Sequence, residues 1–154
     1  PVPVVGGLLQ TRATKVLSSS SNTVKVLLKN FTDEQDTITY DLMAAYDYPS
    51  LQALSREFLY NRLSSTITIT DTVEFDESST FQDALITKKA LTFTAENAGY
   101  FSDSGNTLYF TVCSDVPFLM NATTLSSYNV TFTRVGIYLL SPVTSAKVTM
   151  VFTV

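Results

Sequence analysis

Between Asp47 and Thr72 the hydrophobic pattern of this chain changes period. In the run DYPSLQALSREFLYNRLSSTITITDT, Pro49 blocks a helix before it and Ser50 can cap a first turn. Leu51, Leu54, Phe58 and Leu59 then recur at helical spacing. From Leu63 the period becomes two, with Leu63, Ser65, Ile67 and Ile69 on one side and Arg62, Ser64, Thr66, Thr68 and Thr70 on the other. The spacing predicts one short helix over about residues 50–59, joined directly to a β-strand. Such a helix has to cover something, such as the open end of a sandwich.

Elsewhere the period is two. Val24, Val26 and Leu28 alternate with Lys25, Leu27 and Lys29, and Ile38, Tyr40 and Leu42 with Thr37, Thr39 and Asp41. A weak strand is expected near Val73 to Phe75, and the stretch from Phe81 to Lys89 is ambiguous. Leu91 and Phe93, then Leu108, Phe110 and Val112, then Val148, Met150, Phe152 and Val154 mark further strands. Between Phe132 and Val135 the parity slips, which a β-bulge at Thr133 to Arg134 would explain. About eight strands, one short helix and edges to protect predict an all-β fold, an eight-stranded jelly-roll sandwich. Residues 1–22, with Pro, a Gly pair and a four-serine run, read as an irregular N-terminal arm dispensable for folding; residues 23–154 read as the sandwich domain.

The 154 residues suffice for one domain with its own core, and 45% apolar content excludes disorder of the whole chain. A single cysteine, Cys113, excludes an internal disulfide framework and reads as a passive thiol. Histidine is absent, which removes His-based nucleophilic machinery and His-ligated metal sites; no enzymatic role is expected. The net charge of −4 argues against a sequence-reading nucleic-acid binder. The longest apolar runs fall far short of a membrane span.

The segment from Pro49 resembles the shell domain of small icosahedral RNA-virus capsid proteins. In that family a Pro-containing loop leads through a short helix into a strand, and the matching positions here are Pro49, Leu51, Ser55, Phe58, Tyr60, Leu63, Thr66 and Ile67 to Ile69. Ser50 stands where family members often carry Trp. The resemblance implies a structural, satellite-virus-like coat protein of the virion, which self-assembles with copies of itself and encloses viral RNA. It implies one sheet from the strands starting near Val24, Arg62, Leu108 and Val148, and a second from those near Ile38, Phe81, Leu91 and Val130. On that arrangement Lys25, Lys29, Arg62 and Lys147 would share a polar face lining the shell, joined by Arg12 and Lys15 of the arm, in sequence-independent contact with RNA phosphates. The usual strongly basic extension is missing from this stretch, so it lies upstream of Pro1 or packaging is weak.

Asp71, Glu74, Asp76, Glu77 and Asp83 cluster after the predicted helix-linked strand. They read as a solvated acidic loop. Calcium between subunits is the alternative the resemblance offers, but the spacing matches no loop signature, and no other cofactor is implied. Asn30, Asn121 and Asn129 begin N-x-Ser/Thr sequons of a kind that chance supplies. A second reading shares the alternation and the sequons: a secreted or cell-surface β-sandwich recognition module, lectin-like or a trimeric ligand domain, with tyrosine-rich loops at Tyr46, Tyr48, Tyr100 and Tyr128.

Overall fold

The computed structural model describes residues 3–10, 24–127 and 129–154. Among them the chain forms β1 (Val4–Val5), β2 (Lys25–Phe31), β3 (Gln35–Asp41), β4 (Leu51–Asn61), β5 (Thr66–Ser79) and β6 (Phe81–Thr87). After these come β7 (Ala90–Ala95), β8 (Ala98–Asp103), β9 (Asn106–Ser114), β10 (Phe118–Ser127), β11 (Val130–Leu139) and β12 (Val143–Thr153). One 3-10 turn, Met43–Ala45, precedes β4. The strands make two antiparallel sheets, in the orders β1-β6-β11-β10 and β2-β3-β4-β5-β12-β9-β8-β7.

The all-β sandwich expected from the alternation is what forms, and it is larger and less even than eight strands in two equal sheets. The strands near Val24, Arg62, Leu108 and Val148 do share a sheet, and those near Phe81 and Val130 share the other, but β3 and β7 lie in the larger sheet. Its core side comes from β4, β5, β12 and β9, through Leu54, Val73, Val148, Met150, Phe110 and Val112. From the smaller sheet Val5, Phe81, Leu85, Val135 and Ile137 meet them. β2, by contrast, is exposed along its whole length.

Residues 50–59 are not helical. Leu51 to Leu59 belong to β4, hydrogen-bonded between β3 and β5, and Ser50 stands in the turn before it. A register shift between Leu51 and Ala53 lets Leu51 and Leu54 both turn inward, which reproduces an i, i+3 spacing inside a strand. Leu, Gln, Ala, Arg and Glu favour helix weakly, and pairing on both sides overrides them. The bulge expected at Thr133 to Arg134 is also absent: β11 keeps one register against β10 from Val130 to Leu139. Phe132 faces away from the core, with the Lys88 ammonium 5.5 Å from its ring centre. Val4 and Val5 of the expected arm form β1 against Phe81 and Gln82, with Val5 wholly buried; the rest of the arm from residue 11 to 22 lies outside the described residues.

The β8–β9 hairpin is set by its own residues. Ser104 and Gly105 form a two-residue turn with φ of 50° and 88°, the hand that matches strand twist. Gly99 then allows close approach, since a Cβ there would collide with the Thr92 carbonyl and the Phe110 ring. Phe101 stacks on Phe110 at 4.9 Å beneath the hairpin. This anchors the inner face and leaves Tyr100 and Tyr109 on the outer one.

Candidate functional site

The basic residues expected on one face are dispersed. Register places Lys25, Asp41, Ser55, Thr72 and Lys147 in one row across β2-β3-β4-β5-β12, so Lys25 and Lys147 share the outer face with three strands between them. A register shift between Val26 and Leu28 moves Lys29 opposite Ile38, on the other side of the sheet. Arg62 lies past the end of β4, where it donates to Asp36 Oδ2 at 2.5 Å and to the Thr32 carbonyl at 2.9 Å. Arg12 and Lys15 lie outside the described residues.

The acidic residues divide as well. Glu74, Asp76 and Glu77 are exposed along β5, with Asp76 accepting from Ser50. Asp71 and Asp83, both 0% exposed, meet Arg56 between the sheets. Arg56 Nε donates to Asp71 Oδ1 at 2.7 Å, and Nη2 donates to Asp71 Oδ2 at 2.5 Å and to Asp83 Oδ1 at 3.2 Å. The Ala84 amide also donates to Asp83 Oδ1, at 2.7 Å. Asp83 Oδ2 has no hydrogen-bond partner among the described residues. Burial, and next the neighbouring Asp71, hold Asp83 well above the usual carboxylate range, with Arg56 pulling the other way. Tyr46 packs nearby and donates to the Pro3 carbonyl at 2.7 Å; burial pushes its hydroxyl up. No sugar bond can reach carboxyls sealed in this way, so the pair ties the sheets together and is not a glycosidase pair. Among the described residues no three Asp, Glu or Cys side chains come together to hold a metal ion.

The outer face of the larger sheet has a different character. Asn61, Thr66, Thr153, Tyr109, Tyr100 and Thr92 stand in one row across β4-β5-β12-β9-β8-β7. The next row holds Leu59, Thr68, Val151, Thr111 and Ala98. On the other side come Thr107, Ser102 and Ala90. The Tyr100 and Tyr109 rings lie 5.7 Å apart, tilted by 58°, and Tyr109 is 52% exposed. Two aromatic rings set among hydroxyls on a sheet face offer an apolar surface with hydrogen-bonding groups around it.

From the sequence Tyr100 is expected in a loop, and Tyr109 is not among the tyrosines singled out. Tyr100 is a strand residue, Tyr46 is buried, Tyr48 packs edge-on against Phe75, and Tyr128 lies outside the described residues. The signal for Tyr109 was its alternation with Phe110, which assigns the two rings to opposite faces. A cleft of about 340 Å³ opens at the tip of the same hairpin, lined in part by Phe101, Leu108 and Val154. The Lys89 ammonium, 2.5 Å from Asp103, closes its rim and holds the Asp103 carboxyl below its usual range. Asn30 and Asn121 are exposed strand residues and Asn129 sits in the β10–β11 turn.

No family model and no curated protein matches the chain. Solved structures do. Heparinase III matches with a TM-score of 0.72 at 13% identity, over 98% of this chain and 23% of its own. Heparan sulfate lyase HepC from Pedobacter heparinus matches with a TM-score of 0.65 at 16% identity, over 84% and 21%. A further heparinase III gives 0.67 at 9% identity, again over 84% and 21%. At such identities the likeness is one of fold, and the chain spans less than a quarter of the length of these structures.

These neighbours overturn the resemblance to capsid proteins. With it fall the self-assembling icosahedral shell, the packaged RNA and the place in a virion. The physical reason lies in β4: the motif that carried the resemblance requires a helix over residues 50–59, and from Leu51 onward those residues form a bulged strand.

Proposed function

We propose that this chain is a non-catalytic β-sandwich domain that recognises carbohydrate and works beside a polysaccharide-degrading domain. One observation carries the reading: the paired rings of Tyr100 and Tyr109, presented among threonine hydroxyls on the outer sheet face. Sugar rings have apolar C–H faces that stack on aromatic rings and hydroxyl edges that exchange hydrogen bonds with Thr and Asn. A sheet holds such groups at fixed spacing, about 4.8 Å between strands, so little ordering is needed on binding. The fold likeness supports the same reading, because the neighbours are named as heparinase and heparan sulfate lyase and the likeness covers a minor part of each.

A catalytic role draws no support from the residues. The chain has no histidine, and Asp71 and Asp83 are sealed in the core. The test is titration calorimetry of the chain against a panel of oligosaccharides, with Tyr100→Ala and Tyr109→Ala beside the parent. Binding that is weakened in both variants is expected. Binding equal in all three proteins would remove the tyrosine face from the account.

A further inference from the structure

We infer that the Tyr100–Tyr109 face takes an uncharged glycan and rejects sulfated or carboxylated ones, an inference that rests on the carbohydrate-recognition reading above. The row of the tyrosines runs from Asn61 to Thr92, and none of its residues is charged. The same is true of the rows on either side, through Thr111 on one and Ser102 on the other. The charges that follow are acids: Glu96 stands in the turn between β7 and β8, beside Ala98, and Glu57 lies two rows from the tyrosines, opposite Thr70 and in line with Thr149 and Cys113.

A sulfated or carboxylated chain needs cations, and above all arginine forks, to replace the water it gives up. Among the described residues the cations are placed otherwise: Lys25 and Lys29 lie on β2 at the far edge of the sheet, Lys88 over the Phe132 ring, and Arg134 donates to the Tyr138 hydroxyl. Arg62 is held by Asp36, Lys89 by Asp103, and Arg56 is buried against Asp71. Lys147 is on the outer face, one row beyond Glu57. The net charge of −4 adds a long-range repulsion for polyanions. A neutral polysaccharide has none of these requirements: its hydroxyls pair with Thr66, Thr92, Thr111 and Thr153, and its C–H faces lie on the two rings. The chemistry of this face therefore departs from the heparan sulfate named for one of the structural neighbours.

Affinity electrophoresis separates the possibilities. The full chain is run in native gels containing mixed-linkage β-glucan or glucomannan as neutral probes, and heparin or chondroitin sulfate as polyanionic ones. Retardation by a neutral polysaccharide is expected. It should be about tenfold weaker in Tyr109→Ala, the loss of one aromatic contact, largely retained in Tyr109→Phe, and insensitive to added salt. Tyr109 is half-exposed, so these variants keep the fold, and matching melting curves verify it. Retardation by heparin or chondroitin sulfate without retardation by either neutral probe overturns the charge inference and leaves carbohydrate recognition standing. Neutral binding unchanged in Tyr109→Ala overturns the assignment to this face. No retardation by any of the four overturns the recognition reading itself.

Discussion

Arg56 and Asp71 meet as a two-pronged pair inside the sandwich, with Nε to Oδ1 at 2.7 Å and Nη2 to Oδ2 at 2.5 Å. The register of β4 against β5 sets them directly opposite, since Arg56 pairs with Asp71 across the ladder. Asp83 arrives from β6 in the other sheet, so the guanidinium joins both layers. A buried pair of this geometry fixes the registry of the two sheets more than it adds net stability.

Removing Asp71 takes away the two-pronged pair and leaves the buried guanidinium with the longer contact to Asp83 Oδ1 at 3.2 Å. Asp71→Ala is therefore expected to destabilise the fold by about 3–5 kcal/mol, as read from urea denaturation. A loss below about 1 kcal/mol, the value of an exposed pair, would show that water reaches the site.

Asp83 should give stability a pH dependence. Its folded-state proton affinity is raised, by burial first and by Asp71 second. From the ordinary aspartate value of about 4 up to the raised value, the folded chain holds a proton that the unfolded chain has released. Stability is therefore greatest below that window and falls as pH rises through it. Asp83→Asn keeps the shape without the charge, so its denaturation midpoints should fall less across the same window and equal or exceed the parent's at pH 7. Parallel curves for the two proteins would place the titration elsewhere.

The N-terminal segment contributes to the core. Val5 is wholly buried and the Pro3 carbonyl accepts from the Tyr46 hydroxyl. Deleting residues 1–10 is expected to cost about 2–4 kcal/mol in the same assay, from lost apolar burial and an unpaired phenol. An unchanged midpoint would restore the expectation of a dispensable arm.

What alternation alone could show was the class of fold and most strands, because cross-strand neighbours share a face and the sequence of β3, β9 and β12 keeps a period of two. The failures have local causes. Bulges at Leu51–Ala53 and Val26–Leu28 changed parity, turning a strand into an apparent helix and a lysine row into residues on two faces. The parity slip between Phe132 and Val135 is not a bulge, since Phe132 faces outward against Lys88. Arg56, Asp71 and Asp83 are far apart in sequence, and nothing short of the strand pairing brings them together. Tyr109 belonged to the polar side of its strand, where a single sequence does not distinguish a binding ring from a solvent-facing one.

The carbohydrate-recognising face is tested most directly by two-dimensional NMR of the chain, titrated with the neutral oligosaccharide that binds it. The expected result is a set of shifts confined to Tyr100, Tyr109, Thr66, Thr92, Thr111 and Thr153, with ring resonances of both tyrosines moving together. Shifts at the cleft of Phe101, Leu108 and Lys89 with none at the two tyrosines would contradict it.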